Sequence, residues 1–203
     1  MRRTLFTAAT LLAAAPALQA QLPAGWSARL DSDRMSLENV QFRTMGTGLH
    51  LTTGPHVILW RDADRTAGRF HTEATITRTT APAHPESYGI FFAGRDLQGA
   101  AQTYLYFLVR GDGKFLIRRR DGATVSNVAG TWADHEAINK ADAAGKVTDK
   151  LEVLSNGTVV RFSVNGKVVH EMPAAGLNLE GHVGLRASHA LDLHIEGFVV
   201  HRM

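Results

Sequence analysis

The side chains best placed to do chemistry lie on segments where polar and apolar residues alternate. Near the C-terminus, Asp192, His194 and Glu196 are interleaved with Leu191, Leu193 and Ile195. In an extended strand successive side chains point to opposite faces. The carboxylate, imidazole and carboxylate therefore share one face and the aliphatic residues the other. Such a set could bind a metal ion or act as proton acceptor and donor. The competing explanation is the solvated outer face of a sheet, which alternates in this way by default. His71 and Glu73 form a second pair of the same kind. If the two strands are neighbours with these side chains on one face, the five residues make a single patch rich in carboxylate and imidazole.

A different kind of candidate is Trp132-Ala133-Asp134-His135-Glu136, in the least regular part of the chain. Loops held by a rigid scaffold are where binding residues gather. An indole face can stack on a sugar ring while Asp134 and Glu136 accept hydrogen bonds from hydroxyls. The alternative is a tryptophan tucked under a loop to cap the core. The candidates for acid–base catalysis are thus His71, Glu73, Asp134 and Glu136. His135-Glu136 begins like a zinc-protease helix, but Asn139 stands where the second histidine is required. Tyr104 and Tyr106 share a strand face with Leu108 and Arg110, and with Arg95 nearby they would make a platform for a sugar. The plainer possibility is one tyrosine in the core and one at the rim. Gly94-Arg95-Asp96 could lend oxygens to calcium, with too few ligands to define a site. No other cofactor is suggested, because phosphate-loop, dinucleotide and nucleophile-elbow patterns are missing.

These residues need a scaffold, and the sequence points to an all-β one. Lys150 to Met172 reads as three alternating runs joined by Asn156-Gly157 and Asn165-Gly166. Asn-Gly suits a primed two-residue turn, in which both central residues need positive φ. Val160, Phe162 and Val164 form one apolar face of this meander, opposite Arg161, and a second layer must cover it. Upstream, strands are expected at Trp26–Leu30, Leu37–Met45, Leu49–Thr52, Val57–Trp60, Phe70–Thr79, Tyr88–Arg95, Tyr104–Arg110, Lys114–Arg120 and Ala123–Val128. Arg61–Arg65 reads as a charged loop, and a brief strand is expected near Ala137–Asn139. Pro173–Glu180 reads as a loop before closing strands at Gly181–Arg186 and Leu191–Val200. Short strands separated by Gly, Asp, Asn and Pro, with no long helical period, predict a two-sheet antiparallel sandwich.

Composition narrows the setting. Arg2 and Arg3, an apolar run from Leu5 to Ala15 and small residues up to Ala20 have the order of a secretory signal peptide. Residues 1–20 are expected to be removed, leaving 21–203 as one β-sandwich domain in the periplasm or outside the cell. The chain has 22 basic and 19 acidic side chains, so losing Arg2 and Arg3 leaves 20 against 19, a balance of +1. Net charge therefore gives no reason to expect a nucleic-acid partner. Arg118-Arg119-Arg120 cannot form one patch, because alternation splits it between faces. There is no cysteine, which excludes thiol catalysis, thiolate zinc sites and a lipoprotein anchor. Beyond the signal no stretch is long and apolar enough to span a membrane. The oligomeric state is left open.

The run Phe162-Ser163-Val164-Asn165-Gly166-Lys167-Val168-Val169, then Gly181-His182-Val183-Gly184-Leu185, then Leu193-His194-Ile195-Glu196-Gly197-Phe198, resembles the end of a concanavalin A-like jelly roll. It is most similar to laminin-G-like and bacterial 3-keto-disaccharide hydrolase-like domains. The resemblance spans roughly Gly48 to Val200 and rests on turn and core residues, so it speaks to fold more than to activity. It implies a secreted domain that meets carbohydrate. Its glucanase members carry a Glu-x-Asp-x-x-Glu strand that this chain lacks. The functions to be weighed are a glycan-binding domain, a glycoside hydrolase of the keto-disaccharide type, and a structural or protein-interaction domain.

Overall fold

The computed structural model describes residues 22–203, so the expected signal peptide lies outside the described residues. Among the described residues, fifteen strands form two antiparallel sheets. In the first sheet the order is β1 (Trp26–Leu30), β4 (Val57–Thr66), β14 (Gly181–Ala187), β6 (Ser87–Arg95), β7 (Thr103–Arg110), β8 (Lys114–Asp121) and β10 (Ala133–Asp134), with β9 (Thr124–Asn127) also on β8. The second sheet runs β13 (Lys167–Pro173), β12 (Val159–Val164), β11 (Val147–Asn156), β5 (Arg69–Arg78), β15 (Asp192–Arg202), β3 (Gly48–Thr53) and β2 (Val40–Met45). Among the described residues the one helical piece is a short 3-10 turn at Leu37–Asn39, capped by the Ser36 hydroxyl, which accepts from the Glu38 amide. No helix among them is long and apolar enough to cross a membrane.

The inward faces meet in one core. Val160, Phe162 and Val164 are fully buried and Arg161 is exposed, as the alternation of the meander requires. Phe162 packs edge-on to Phe107 at 5.3 Å and against Phe92 at 6.0 Å, so the ring joins the two sheets. Asn165 and Gly166 both have positive φ, the geometry of the expected primed turn. The other turn differs. Asn156 closes β11 with its side chain, accepting from the amides of Thr158 and Val159. Gly157, at φ 90°, is the first residue of the two-residue loop, so glycine alone takes the strained position.

Three boundaries also depart from expectation. The segment Arg61–Thr66 continues β4 instead of ending it, because β14 pairs with it as far as Thr66 opposite Gly181. Asp64 is buried there against Arg61, and the Thr66 hydroxyl donates to the Leu179 carbonyl. The brief strand lies at Ala133–Asp134 on the edge of β8, not at Ala137–Asn139. The expected second strand starts only at Val40, after the 3-10 turn.

A polar cluster inside the core fixes the irregular segment. Asp149 is completely buried, and its Oδ1 accepts from the Asn139 amide at 3.0 Å and from the Asn165 side chain at 2.8 Å. Burial pushes the Asp149 carboxyl above its ordinary value despite those two donors. The Asn165 side chain also donates to the Ala137 carbonyl. Arg78 reaches from β5 to the Gly145 carbonyl, and its guanidinium lies under Gly111, where a Cβ would come within 2.5 Å of it.

Candidate functional site

The outward positions of the first sheet carry the larger concentration of functional side chains. Registration puts Gly184 opposite Trp60 and Phe91, Phe91 opposite Tyr106, and Tyr106 opposite Arg118. One strand step away, Ile58, Arg186, Gly89, Leu108 and Leu116 form the next row. Gly184 has no alternative in this arrangement. A Cβ there would sit 2.5 Å from the Phe91 ring and 2.1 Å from the Leu59 carbonyl oxygen. Ile58, Trp60, Phe91, Leu97, Tyr104, Tyr106 and Leu108 form a second apolar cluster separate from the inter-sheet core, and Trp132 packs on it.

Arginines close over this cluster. The Arg186 guanidinium lies 4.8 Å from the Tyr106 ring centre and 5.7 Å from that of Tyr104. It donates to the Tyr104 hydroxyl and makes a two-point contact with Asp31 at 2.9 and 2.5 Å. Burial pushes the Asp31 carboxyl up, but Arg186, with Arg120 behind it, outweighs that and holds it below its ordinary value. Burial works against the Arg186 charge in the same way, and Asp31 more than restores it. Further along the face, Arg110 lies over the Trp132 ring at 4.3 Å and pairs with Asp112.

At this end of the sheet, loops bring together groups that strand alternation could not reveal. Asp31 follows β1, His56 precedes β4, Glu86 precedes β6, and Ser188 and His189 follow β14. The Asp31 amide donates to the His56 carbonyl, and the His56 and His189 rings lie 5.0 Å apart. His189 Nδ1 is 2.8 Å from Glu86 Oε1, an ion-pair contact off the line of a good hydrogen bond. Burial raises the Glu86 carboxyl, and His189, His84 and Arg110 offset only part of this. Burial also lowers His56, which the Arg186 charge reinforces. Two carboxyl groups shifted in opposite directions thus flank one imidazole pair. Their signal in the sequence was slight, since Asp31, His56, Glu86 and His189 are single residues at strand ends.

The residues singled out from sequence divide among several places. Tyr104 and Tyr106 are both buried as the floor of the arginine-covered cluster, so neither stands at an open rim. Arg110 and Trp132 touch each other above them. Arg95 lies apart, lining a cavity of about 20 Å³ with Thr103, Tyr104 and Arg119, room for about one water molecule. Asp134 pairs with Lys114 and Glu136 with Lys167, and both carboxylates line an open cleft of about 460 Å³ with His135 and Lys140. No hydrogen bond or ion pair among the described residues joins them to His71 and Glu73, which lie on the second sheet.

On that second sheet β5 and β15 are neighbours, and His71, Glu73, Asp192, His194 and Glu196 all face outward. They do not form one cluster. His71 and Glu73 gather with Glu152, whereas Asp192, His194 and Glu196 stay outside that group. Asp192 instead turns to His50 and Thr52 at 3.2 Å and takes a hydrogen bond from Thr79. Those donors hold its carboxyl low against the opposing effect of burial. His194 has Glu196 at 3.6 Å, and the register shift between Glu196 and Val199 carries the strand on to pair Val199 with Glu73 and His201 with His71. His71 meets Glu152 of β11, a residue that no pattern of spacing singles out. Near Asp96, no group of three or more His, Asp or Glu side chains fit to hold a metal occurs among the described residues.

No protein-family model matches this sequence, and no curated protein matches it either. Solved structures do. The chain is similar to the carbohydrate-binding module CBM66 from Bacillus subtilis, with a TM-score of 0.65 and 12% identity over 87% of this chain and 94% of that one. It is similar to a Bacillus licheniformis β-glucanase at TM-score 0.59 and 10% identity, covering 88% and 92%. A Bacteroides ovatus mixed-linkage glucan GH16 protein gives 0.56 and 10%, covering 87% and 94%. The two packed antiparallel sheets, with the likeness to those proteins, show the concanavalin A-like jelly-roll fold.

Proposed function

We propose that the protein is an exported carbohydrate-binding domain, with residues 1–20 a removed signal peptide and residues 21–203 one sandwich. Its glycan lies on the outer face of the first sheet, across Trp132, Arg110 and the partly exposed Asp31, which the buried Arg186 holds in place. The observation that carries this is the stack of Arg110 on Trp132 beside a carboxylate and guanidinium locked together over two tyrosines. Sugars are recognised by planar charged groups that bond pairs of hydroxyls, next to an aromatic surface that takes their C–H face. Tyr104 and Tyr106 serve as the floor that fixes Arg186. The carbohydrate-binding module and the glucanases among similar structures are in keeping with this reading. A glycan array followed by calorimetry on the best ligand tests it. Trp132→Ala and Arg110→Ala should each weaken binding by about tenfold or more. Absence of any bound glycan, or full affinity in both variants, overturns the assignment.

One observation favours glycoside cleavage as a second reading. Burial raises the Glu86 carboxyl, while Arg186 outweighs burial and lowers that of Asp31 at the same end of the sheet, opposite shifts of the kind that separate a general acid from a base. Release of reducing or keto sugars that is lost in Glu86→Gln would support it. Glycan binding without turnover would leave the binding reading alone.

A further inference from the structure

We propose that the outer face of the second sheet holds a divalent transition-metal site, independent of the glycan face. Its ligands are His71 and Glu73 of β5 and Glu152 of β11, and Zn²⁺ is the ion whose chemistry it fits. One ligand atom from each residue lies within 4.8 Å of the other two. Nε2 of His71 is 3.2 Å from Glu152 Oε2 and 3.6 Å from Glu73 Oε2. Zinc bonds of about 2.0–2.1 Å at tetrahedral angles separate neighbouring ligand atoms by about 3.3 Å. Two edges of the triangle therefore already have close to the length that an ion would impose.

The electrostatics of the strands point the same way. Glu73 and Glu152 are direct partners across β5 and β11 and face outward together. Like charges in directly opposed positions destabilise a sheet. Lys150 meets Glu73 at 2.8 Å, but Glu152 is contacted by His71, a cation only when protonated. A divalent ion neutralises both carboxylates and binds the imidazole in its neutral form. His201 stands beside this group without being one of its three ligands. It sits opposite His71 across β5 and β15, with the rings parallel to within 4° and 5.9 Å apart. Imidazole with carboxylate suits zinc, whereas calcium and magnesium favour all-oxygen shells. The three ligands stand on adjacent hydrogen-bonded strands, so the backbone holds them in place before any ion arrives. Each is partly open to solvent, which leaves an entry path and a position for water or an external ligand.

Untagged protein stripped with a chelator and titrated with Zn²⁺ by calorimetry tests the site, with Co²⁺ absorption reporting geometry. One Zn²⁺ per chain is expected, with a higher Tm and a four-coordinate Co²⁺ spectrum. His71→Ala and Glu152→Gln should each weaken binding by about tenfold or more. Lys150→Met should tighten it several-fold, because the ammonium competes with the ion for Glu73. His194→Ala should change nothing. Glu152→Gln is a near-isosteric change on an exposed face, so it carries the test if His71→Ala fails to fold. Absence of stoichiometric uptake, unchanged or weaker affinity in Lys150→Met, or uptake abolished by His194→Ala but kept by Glu152→Gln would each overturn the proposal.

Discussion

On the second sheet, alternation sends His71, Glu73, Thr75 and Thr77 of β5 outward to water, and the inward residues alone form core. On the first sheet the same outward positions of β6 and β7 hold Phe91, Tyr104, Tyr106 and Leu108, all buried. One face of the sandwich is a solvated surface. The other has been covered again by Arg186, Arg110, Trp132 and the loop bearing Leu97. That loop is held by Arg29, which donates to the carbonyls of Leu97 and Gly99. A face that buries charge to cover aromatics is costly unless every charge is paired. The first sheet should therefore be sensitive to single substitutions where the second is tolerant.

Arg186→Ala should show the largest effect. It uncovers Tyr104 and Tyr106 and leaves Asp31 without its partner, costing about 3 kcal/mol in urea unfolding, the lower end for a broken buried pair because Asp31 is partly solvated. Adding Asp31→Asn to Arg186→Met should recover part of that loss. Recovery failing in the double variant would mean that shape, not charge, is what the pair supplies. Trp132→Ala removes a half-buried indole from the same cluster and should cost about 2 kcal/mol, less than a fully buried ring.

The pH dependence separates the two carboxyls at the end of this sheet. Glu86 is raised above its ordinary 4.5, so the folded state binds its proton more tightly than the unfolded state does. That contribution to stability is present at low pH and lost as pH rises through the shifted value. Glu86→Gln should then stabilise the protein at neutral pH and remove that decline. Asp31 is lowered below 3.8, so its contribution is present above that value and disappears on acidification below it. Measuring Tm from pH 3 to 8 in both backgrounds checks the signs. The smallest change belongs to the second sheet. Glu196→Ala, at an exposed position beside His194, should alter stability by no more than about 0.5 kcal/mol. A larger loss would mean that this face is structured by its charges after all.

Local chemistry explains how far the sequence could be read. Alternation in β5, β12 and β15 and the Asn165-Gly166 turn are short-range signals, and the strands they imply are present. The runs Tyr104-Leu105-Tyr106-Phe107-Leu108-Val109 and Ile90-Phe91-Phe92 lack polar alternation, which marks strands buried on both sides. Long-range pairing was out of reach. Asp31 and Arg186 are separated by 155 residues, and the Glu73–Glu152 pairing depends on which strand lies beside β5. Arg61–Thr66 reads as a loop by composition and becomes strand because β14 supplies its hydrogen-bond partners. Glu86 and His189 carry no pattern, since each stands alone at a strand end.

The bond between Asn165 and buried Asp149 has a consequence for motion. The turn residue of the β12–β13 hairpin also holds Ala137 through its side chain, and Asp149 holds Asn139. The irregular segment that follows Trp132 is thus fastened to the most locally determined hairpin in the chain. The Asn139 amide, whose acceptor is the buried Asp149 carboxylate, should exchange with solvent more slowly than irregular backbone ordinarily does. Asn165→Gly keeps the positive φ of the turn while removing the fastening, and it should speed that exchange without unfolding the hairpin.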